Sequence, residues 1–395
     1  MLTFRRAIVI AAALLTFFFI LKTSHPDTST PKIKNASQLP RPTPYKTPTQ
    51  AKQAEKEPTK DVTPQSSAPG RNGLEGAIEP PLMAKKPKTQ ISLADLRMKP
   101  LRQQLEYQFP YDPLSKFPAY IWQTWKTTPA SGEFDEAFRE PEASWTILHP
   151  TFVHEVITDS IAVSLIRHLY ASVPEIVEAY NALPLPVLKA DFFRYLILLA
   201  RGGIYTDIDT AALKSAIDWV PADVPRSSYG MVIGIEADPD REDWAKWYSR
   251  RIQFCQWTIQ SKPGHPILRD IVANITEETL SRKKKGALHA KELRKNIIEF
   301  TGPALWTDVI FKYFNDPNYF DMSTSAGNIT WKQFTKITAA KKVGDVIVLP
   351  ITSFSPGVKQ MNAGEDDDPM AFVKHLFEGT WKPEEERNIG KKHDG

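Results

Sequence analysis

The sequence has a single cysteine, Cys255, among its 395 residues. One cysteine excludes an intrachain disulfide, so the fold must be held together by its hydrophobic core. Two states remain open for this side chain, a buried apolar residue or an intermolecular disulfide. Its neighbours Phe254 and Trp257 favour the buried state.

The chain also lacks a basic region in the part expected to fold. Residues 1–110 contain 17 Lys and Arg against 8 Asp and Glu, whereas the remaining residues contain 33 against 38. The formal net charge of +4 therefore arises from the N-terminal part. Because a nucleic-acid-binding protein needs a concentrated basic face, this distribution argues against that class.

No apolar run reaches the roughly 20 residues that a membrane-spanning helix usually needs. The longest run, residues 7–21 (AIVIAAALLTFFFIL), follows Arg5 and Arg6 and has 15 residues. A cleaved signal peptide has an apolar region of this length, but no small-x-small cleavage site follows this one. The two arginines favour a cytosolic N-terminus, and the thin membranes of the early secretory pathway suit a short span. We therefore expect a signal anchor.

A proline-rich segment follows the apolar run. Residues 26–90 contain 12 prolines and few apolar side chains. Such a segment cannot bury enough surface to fold and is typical of a semi-rigid spacer. This layout predicts a single-pass type II protein of the Golgi membrane. Its expected parts are a cytosolic tail, a signal-anchor transmembrane helix, a proline-rich stem and a lumenal catalytic domain, at residues 1–6, 7–22, 23–92 and 93–395.

Beyond residue 91 the apolar spacing predicts alternating helices and strands. This alternation indicates an α/β fold, with helices on the faces of a sheet. Pro350 is expected to mark an edge or a bend. Strands are expected at residues 119–125, 145–149, 203–209, 229–236 and 346–354, and helices at residues 160–170, 173–182, 187–201, 265–282 and 303–314.

The most informative segment is residues 189–210 (KADFFRYLILLARGGIYTDIDT). Gly202 is expected to end a helix in the left-handed conformation, and Gly203 lets the backbone turn into a strand. Asp207 and Asp209 then lie at the carboxyl end of that strand, where residues i and i+2 face the same side. Ligands of open α/β sheets bind at this edge. Paired carboxylates there predict a divalent-cation site for the diphosphate of an activated sugar.

Other acidic pairs need separate consideration. Residues 238–240 (DPD) and 366–368 (DDD) have the same Asp-x-Asp spacing, but the first spans a proline and the second belongs to a charged loop. Asp191 and Arg194 lie three residues apart on the helix before the main site. They form either an ordinary surface salt bridge or a pair that binds sugar hydroxyls and phosphates, and both interpretations remain open.

Six segments together resemble glycosyltransferase family 32, and within it the fungal initiating α-1,6-mannosyltransferases of N-glycan outer chains. They occur in the family's order and cover most of residues 118–382, whereas the stem has no such similarity. The resemblance implies a Rossmann-like GT-A fold, a GDP-mannose donor, Mn²⁺ and retention of anomeric configuration. The segments are YIWQTWK at 120–126, the segment at 189–210, FCQWTIQSKPGHPIL at 254–268, TGPALWTD at 301–308, LPITSFSPGV at 349–358 and HLFEGTWK at 375–382.

The resemblance also implies roles for individual residues. The implied metal ligands are Asp207, Asp209 and His375, of which the two aspartates are also the catalytic pair. The implied donor-binding residues are Trp122, Gln123, Thr124, Asp191, Arg194, Tyr195, Gly203 and Tyr205. Donor or acceptor contacts are further implied for His265, Thr301, Gly302 and Trp306. Trp122 also fits a core residue, and His375 also fits a surface residue. Asn362 and Ala304 depart from the family pattern, and Asn362 stands where a small residue, often glycine, is expected.

The expected reaction transfers mannose from GDP-mannose to the 6-hydroxyl of a mannose on an N-linked high-mannose glycan. No protein base is assigned, and Glu236, Asp366 and Asp367 are open candidates for a place near the acceptor. The expected partners are this glycoprotein acceptor, the membrane and a Golgi mannosyltransferase complex. Three alternatives remain: a related mannosyltransferase or mannan-polymerase subunit with another acceptor, a catalytically silent Golgi scaffold, and a membrane-tethered glycan-binding protein.

Overall fold

The computed structural model describes residues 90–239, 241–320 and 327–379. The predicted tail, the predicted anchor and all of the predicted stem except residues 90–92 lie outside them. Within the described ranges, no helix is long and apolar enough to cross a membrane.

Seven strands of the described chain form one mixed sheet, in the order β2-β1-β3-β6-β5-β8-β7, and the other two, β4 and β9, pair antiparallel. Strands β1, β2, β3, β5 and β8 run in the same direction, while β6 and β7 run against their neighbours. The carboxyl ends of five strands therefore lie at one edge. The strands are β1 (Tyr120–Thr124), β2 (Val153–Ile157), β3 (Gly203–Thr206), β4 (Thr210–Ala212), β5 (Met231–Ala237), β6 (Gln253–Ser261), β7 (Lys341–Val343), β8 (Val346–Leu349) and β9 (Val373–His375).

The α-helices of the described residues cover both faces of the sheet. They are α1 (Leu93–Arg97), α2 (Leu101–Gln108), α3 (Arg139–Leu148), α4 (Asp159–Leu169), α5 (Pro174–Ala182), α6 (Pro186–Arg201), α7 (Pro266–Lys284), α8 (Ala290–Arg294), α9 (Ile297–Phe300), α10 (Pro303–Phe314) and α11 (Ile351–Phe354).

The core lies on both sides of the sheet because alternate strand residues face opposite ways. In β3, Tyr205 joins a cluster that contains α4 to α7 and α10, whereas Ile204 joins a second cluster with Trp145 of α3 and Phe354 of α11. The central strands β3, β5 and β6 are almost entirely buried, which explains the apolar run that begins β5. Cys255 is fully buried in the second cluster, so the apolar interpretation of this cysteine is confirmed.

The α/β class and all five predicted helices are confirmed, as α4, α5, α6, α7 and α10. The predicted strand at 145–149 is wrong, because Trp145 packs into the core from helix α3. The strand predicted at 346–354 ends at Leu349, and Pro350 then caps helix α11. The predicted strands at 119–125, 203–209 and 229–236 correspond to β1, β3 and β5, whereas β2, β4, β6, β7 and β9 have no counterpart among the predicted strands.

Candidate active site at the carboxyl edge of the sheet

The two glycines between α6 and β3 fix where the acidic pair lies. Gly202 ends α6 with φ 64° and ψ −164°, a region open essentially to glycine alone and not the left-handed helical region that we expected. Gly203 has φ 98°, and a Cβ there would lie 2.6 Å from the carbonyl oxygen of Tyr120. The first residues of β3 and β1 therefore approach closely, and the parallel pairing that follows, Ile121 with Ile204 and Trp122 with Tyr205, sets the carboxyl ends of both strands at one edge.

Asp207 and Asp209 lie in a turn and not in a strand, which corrects the expectation that strand alternation pairs them. Strand β3 ends at Thr206 and β4 begins at Thr210. The turn is closed by Thr210, whose backbone N–H and Oγ1 both donate to the carbonyl oxygen of Asp207, at 3.2 and 2.6 Å. Turn geometry therefore presents the two carboxylates at the carboxyl edge.

Asp209 is held by the C-terminal segment of the described chain. Pairing of β4 with β9 sets Thr210 opposite His375. The Nε2 of His375 lies 3.3 Å from Oδ1 of Asp209, and the backbone N–H of Glu378 donates to Oδ2 at 3.2 Å. The N–H of Leu376 donates to the Asp209 carbonyl at 2.9 Å. The structure thus places His375 against Asp209, two of the three predicted metal ligands.

Asp207 is held from the other side by buried residues of α6 and β3. Its Oδ1 accepts hydrogen bonds from Nη2 of Arg194 at 3.2 Å and from the hydroxyl of Tyr205 at 2.9 Å. The Tyr205 hydroxyl also lies 3.1 Å from Oγ1 of Thr124, at the end of β1. These contacts link four predicted site residues in one network.

Asp191 and Arg194 form a buried pair beneath this network, so the interpretation as a surface salt bridge is wrong. Asp191 is 2% exposed and Arg194 is 4% exposed, and their charged atoms lie 3.0 Å apart. Asp191 also accepts hydrogen bonds from Oγ1 of Thr301 at 2.7 Å and Nε2 of Gln256 at 3.2 Å. Burial raises the pKa of Asp191 to about 6, although the Arg194 charge opposes this rise.

Two nitrogen donors of Arg194 have no hydrogen-bond partner among the described residues. They are its Nε and Nη1, and both are buried. Since most buried donors in proteins are paired, each such group calls for an explanation. A ligand oxygen at the site is the simplest one, because a guanidinium donates charge-assisted hydrogen bonds to phosphate and carboxylate oxygens.

The pKa values of the two site carboxylates shift in opposite directions. Burial raises the pKa of Asp207, and the negative charge of Asp209 adds to this effect while Arg194 opposes it. The hydrogen bond and charge of His375 lower the pKa of Asp209 despite its burial. Two like charges in a partly dry site repel one another, and a bound cation would relieve that repulsion.

A polar chain runs from the end of β1 to a histidine that sequence analysis did not single out. Gln123 is fully buried, and its Nε2 donates to the carbonyl oxygen of Asp207 at 3.2 Å. Its Oε1 must then accept, so Nε2 of His154, at 2.9 Å, carries a proton. Burial lowers the pKa of His154 to about 4, so the imidazole is neutral at pH 7. His154 positions Gln123, and through it the acidic turn.

Several predicted contact residues make contacts within the protein behind the acidic turn, and their expected contact with a ligand stays a prediction. Tyr195 donates to the Thr301 carbonyl at 3.1 Å and stacks on Trp306, and both rings are fully buried. The indole of Trp122 donates to the Gly202 carbonyl at 2.9 Å, which supports its interpretation as a core residue. Gly302 caps α10 with its backbone. These residues hold α6, β1 and α10 in place.

His265 lies in a different cluster, so its predicted contact with donor or acceptor is not supported. It is fully buried, its Nδ1 accepts the backbone N–H of Ile267 at 3.2 Å, and its Nε2 lies 3.4 Å from Asp345. Asp345 also accepts the hydroxyls of Tyr111 and Tyr313. This network ties α7 and α10 to the start of the domain.

The other acidic stretches are explained without a ligand. Asp238 is buried and accepts hydrogen bonds from Arg251 at 3.0 Å and from the backbone of Lys336 at 2.6 Å. Asp366 is exposed and pairs with Lys374. Glu236, at the end of β5, accepts a hydrogen bond from Gln253 at 3.0 Å, and burial raises the pKa of Glu236.

The residues suit a divalent cation, although no three His, Cys, Asp or Glu side chains of the described ranges already converge as a ligand set. Asp207, Asp209 and His375 supply two carboxylates and an imidazole, which are donor types that Mn²⁺ and similar cations accept. The Nδ1 of His375 is buried without a partner in the same ranges. A cation held by few protein ligands would take its remaining ligands from a diphosphate.

A carboxylate pair in the turn after a buried strand, backed by a buried arginine, suits a divalent cation and the diphosphate of an activated sugar. The family described as "Glycosyltransferase sugar-binding region containing DXD motif" matches residues 135–225, which include the whole acidic turn. This chain is a glycosyltransferase of the kind that contains a DXD motif.

Three curated relatives define the family further. The initiation-specific α-1,6-mannosyltransferase of Candida albicans is 50% identical over 71% of this chain and 76% of its own. The protein of the same description from Schizosaccharomyces pombe is 44% identical over 70% and 66%. HOC1 of Saccharomyces cerevisiae, described only as a glycosyltransferase, is 42% identical over 73% and 72%. The chain belongs to the family of the fungal initiation-specific α-1,6-mannosyltransferases.

Proposed function

We propose that this protein is a retaining, GT-A-type α-1,6-mannosyltransferase that adds mannose from GDP-mannose to an N-linked high-mannose glycan, the step that initiates the outer chain. Family membership supports the reaction class, since relatives in two fungi carry that description over about 70% of this chain. The mixed sheet with its acidic turn at the carboxyl edge supports a nucleotide-sugar site at this position.

The observation that carries the proposal is the pair of unpartnered donors on Arg194. They belong to a buried side chain whose Nη2 already contacts Asp207 at 3.2 Å, so a ligand oxygen bound by either donor would lie close to the acidic turn. A sugar nucleotide offers such oxygens in its phosphates and in its hexose hydroxyls. Asp191, whose carboxylate is held by Thr301 and Gln256, fixes the guanidinium for that contact.

Mn²⁺ bound by Asp207, Asp209 and His375 would neutralise charge on the departing GDP. The other roles belong to the chain itself. Arg194 binds and orients the donor, and Gln123 and Thr210 hold the carbonyl of Asp207 so that the acidic turn keeps its shape. The parallel pairing of β3 with β1 places Gln123 and the acidic turn at the same edge of the sheet.

The anomeric configuration is retained if the acceptor attacks the mannose C1 from the same face from which GDP departs. The bond between the mannose C1 and the phosphate oxygen breaks, the bond from C1 to the acceptor O6 forms, and the acceptor proton passes to the leaving phosphate. No protein base is required. Glu236 lies at the end of β5 near His375, but it is bound to Gln253 and has no assigned role in this step.

We further propose that the active domain lies in the Golgi lumen, tethered by the N-terminal apolar run and the proline-rich stem. The arginines that precede residues 7–21 and the 12 prolines of residues 26–90 support this arrangement. A protease-protection assay on intact Golgi vesicles tests it. The domain should become sensitive to protease only after the vesicles are opened with detergent.

A transfer assay tests the proposed reaction. Full-length protein is incubated with GDP-mannose, Mn²⁺ and a defined high-mannose glycan, and the linkage and anomeric configuration of the product are determined by NMR. We expect one α-1,6-linked mannose per acceptor, and Asp207→Asn should abolish transfer. Asp366→Asn is the matched control, since it changes an exposed aspartate of a second Asp-x-Asp pattern and should retain activity.

The result also separates the alternatives. Transfer with another linkage would assign the chain to a related mannosyltransferase with a different acceptor, a possibility that the similarity to HOC1 keeps open. Absence of transfer and of GDP-mannose hydrolysis in a folded protein would favour a silent scaffold or a glycan-binding protein and would refute the proposal.

A further inference from the structure

Phe377 has an unusual backbone conformation beside the site. Its φ is 53°, in the left-handed region that glycine and asparagine tolerate and that bulky side chains rarely adopt. Only two other non-glycine residues of the described ranges have positive φ, Lys336 and Asn362. Strained residues of this kind often cluster at functional sites, where surrounding structure maintains them.

The contacts of the adjacent residues explain why the chain turns sharply here. The N–H of Leu376 donates to the carbonyl oxygen of Asp209, and the N–H of Glu378 donates to its Oδ2, at 2.9 and 3.2 Å. Phe377 is the residue between these two amides, and its positive φ allows both to bind one aspartate. Glycine would provide this turn without strain. The backbone therefore explains the turn, but it does not explain the phenyl ring.

The ring is open to solvent next to the acidic turn. Phe377 is 44% exposed, and its ring centroid lies 4.1 Å from that of His375 and 6.4 Å from that of Trp257. His375 in turn lies 3.3 Å from Asp209. A large apolar side chain thus has a strained backbone conformation and much of its surface outside the core. It contacts His375, which is one of the proposed metal ligands.

We propose that Phe377 is a sugar-binding residue whose exposed face packs against the apolar C–H face of a hexose at the site. An aromatic face offers apolar area and a negative electrostatic surface, which suits the C–H groups on one side of mannose. This proposal rests on the proposed mannosyl transfer and makes the Phe377 ring part of the lining of that sugar-binding site. The hexose is either the mannose of the donor or the acceptor mannose, and kinetics distinguish them.

Four variants of the full-length chain test the inference. Phe377→Gly removes both ring and strain, so its melting temperature should equal or exceed that of the wild type while kcat/KM falls about two- to tenfold. Phe377→Leu keeps apolar bulk against His375 and should fold, with a similar loss. Phe377→Tyr keeps the aromatic face and should stay within about twofold of the wild type. Lys336→Gly is the matched control, since it relieves a positive φ of 59° at a residue whose backbone N–H binds Asp238, and it should leave kinetics unchanged.

The KM values identify the sugar. A rise in KM for GDP-mannose, together with slower donor hydrolysis, assigns the ring to the donor mannose, and a rise confined to the acceptor KM assigns it to the acceptor. The inference is overturned if Phe377→Gly and Phe377→Leu transfer mannose at the wild-type rate. It is also overturned if activity falls only in step with melting temperature. A wild type that transfers no mannose would instead refute the proposed function.

Discussion

Replacing Arg194 with methionine tests the buried charge network beneath the acidic turn. The guanidinium lies 3.0 Å from Asp191 and 3.2 Å from Asp207, and both Asp191 and Arg194 are less than 5% exposed. Removing one partner of a buried ion pair leaves an uncompensated charge, which typically costs about 3–5 kcal/mol. A domain of ordinary stability, about 5–15 kcal/mol, should still fold. We expect Arg194→Met to be folded but destabilised by about 3–5 kcal/mol.

The pH dependence of this loss gives a sharper test. Burial raises the pKa of Asp191 to about 6, above its value in the unfolded chain. A raised carboxyl pKa means that the folded state binds more protons, so stability falls as pH rises through this range. Without the charge of Arg194 the pKa of Asp191 rises further, so the pH range over which the folded protein loses stability extends to higher pH. The destabilisation of Arg194→Met should therefore be larger at pH 7.5 than at pH 5.5.

Urea unfolding of the full-length protein, followed by tryptophan fluorescence, measures both effects. Adding Asp191→Asn to Arg194→Met removes the uncompensated charge and should recover more than about 1 kcal/mol at pH 7.5. Arg194→Lys keeps the charge but not the planar set of donors, so it should be more stable than Arg194→Met and still lose donor binding. A loss below about 1 kcal/mol in Arg194→Met, or one independent of pH, would refute a buried charge network.

Three further changes have defined outcomes. His154→Ala leaves the Oε1 of Gln123 without its donor and should lower the free energy of unfolding by about 1–3 kcal/mol, as measured by urea unfolding. Three hydrogen-bonded neighbours hold the pKa of Asp345 well below its usual range despite burial, so its stabilisation is present above the unfolded pKa near 3.9 and is lost as pH falls. Acid unfolding monitored from pH 5 to pH 2 should be less steep in Asp345→Asn. Gly203→Ala places a Cβ 2.6 Å from the Tyr120 carbonyl oxygen. It should lower the free energy of unfolding by more than about 1 kcal/mol, measured by thermal unfolding, and should reduce mannose transfer. Unchanged stability would contradict the close approach of the two strands.

The segment around the acidic turn could be predicted because its signals are local. Apolar spacing gave α6 within one residue of its observed start, and a glycine pair marked its end. Asn362 was noted as a departure where glycine is expected, and its φ of 60° and ψ of 31° show that asparagine preserves the left-handed backbone. Strand alternation does not place Asp207 and Asp209 on one face, because β3 stops at Thr206, which a residue pattern does not show.

The rest of the site depends on pairings between distant segments, which a residue pattern does not reveal. His375 meets Asp209 only because β9 pairs with β4 across more than 160 residues. Strand β6 (QFCQWTIQS) is buried along almost its whole length but mixes polar and apolar residues without a clear period, so its sequence does not predict the role of Gln256 beneath Asp191. A buried glutamine in such a run is a signal in itself, since it must find partners inside the protein.

The most direct test of the central claim is calorimetric titration of the full-length protein with GDP, with Mn²⁺ or with EDTA. If Asp207 and Asp209 bind a cation that coordinates the diphosphate, the wild type should bind GDP far more tightly in Mn²⁺ than in EDTA. Asp209→Asn should bind GDP with similar affinity in both. Asp366→Asn should retain it. Equal affinity of the wild type in Mn²⁺ and in EDTA would contradict the account.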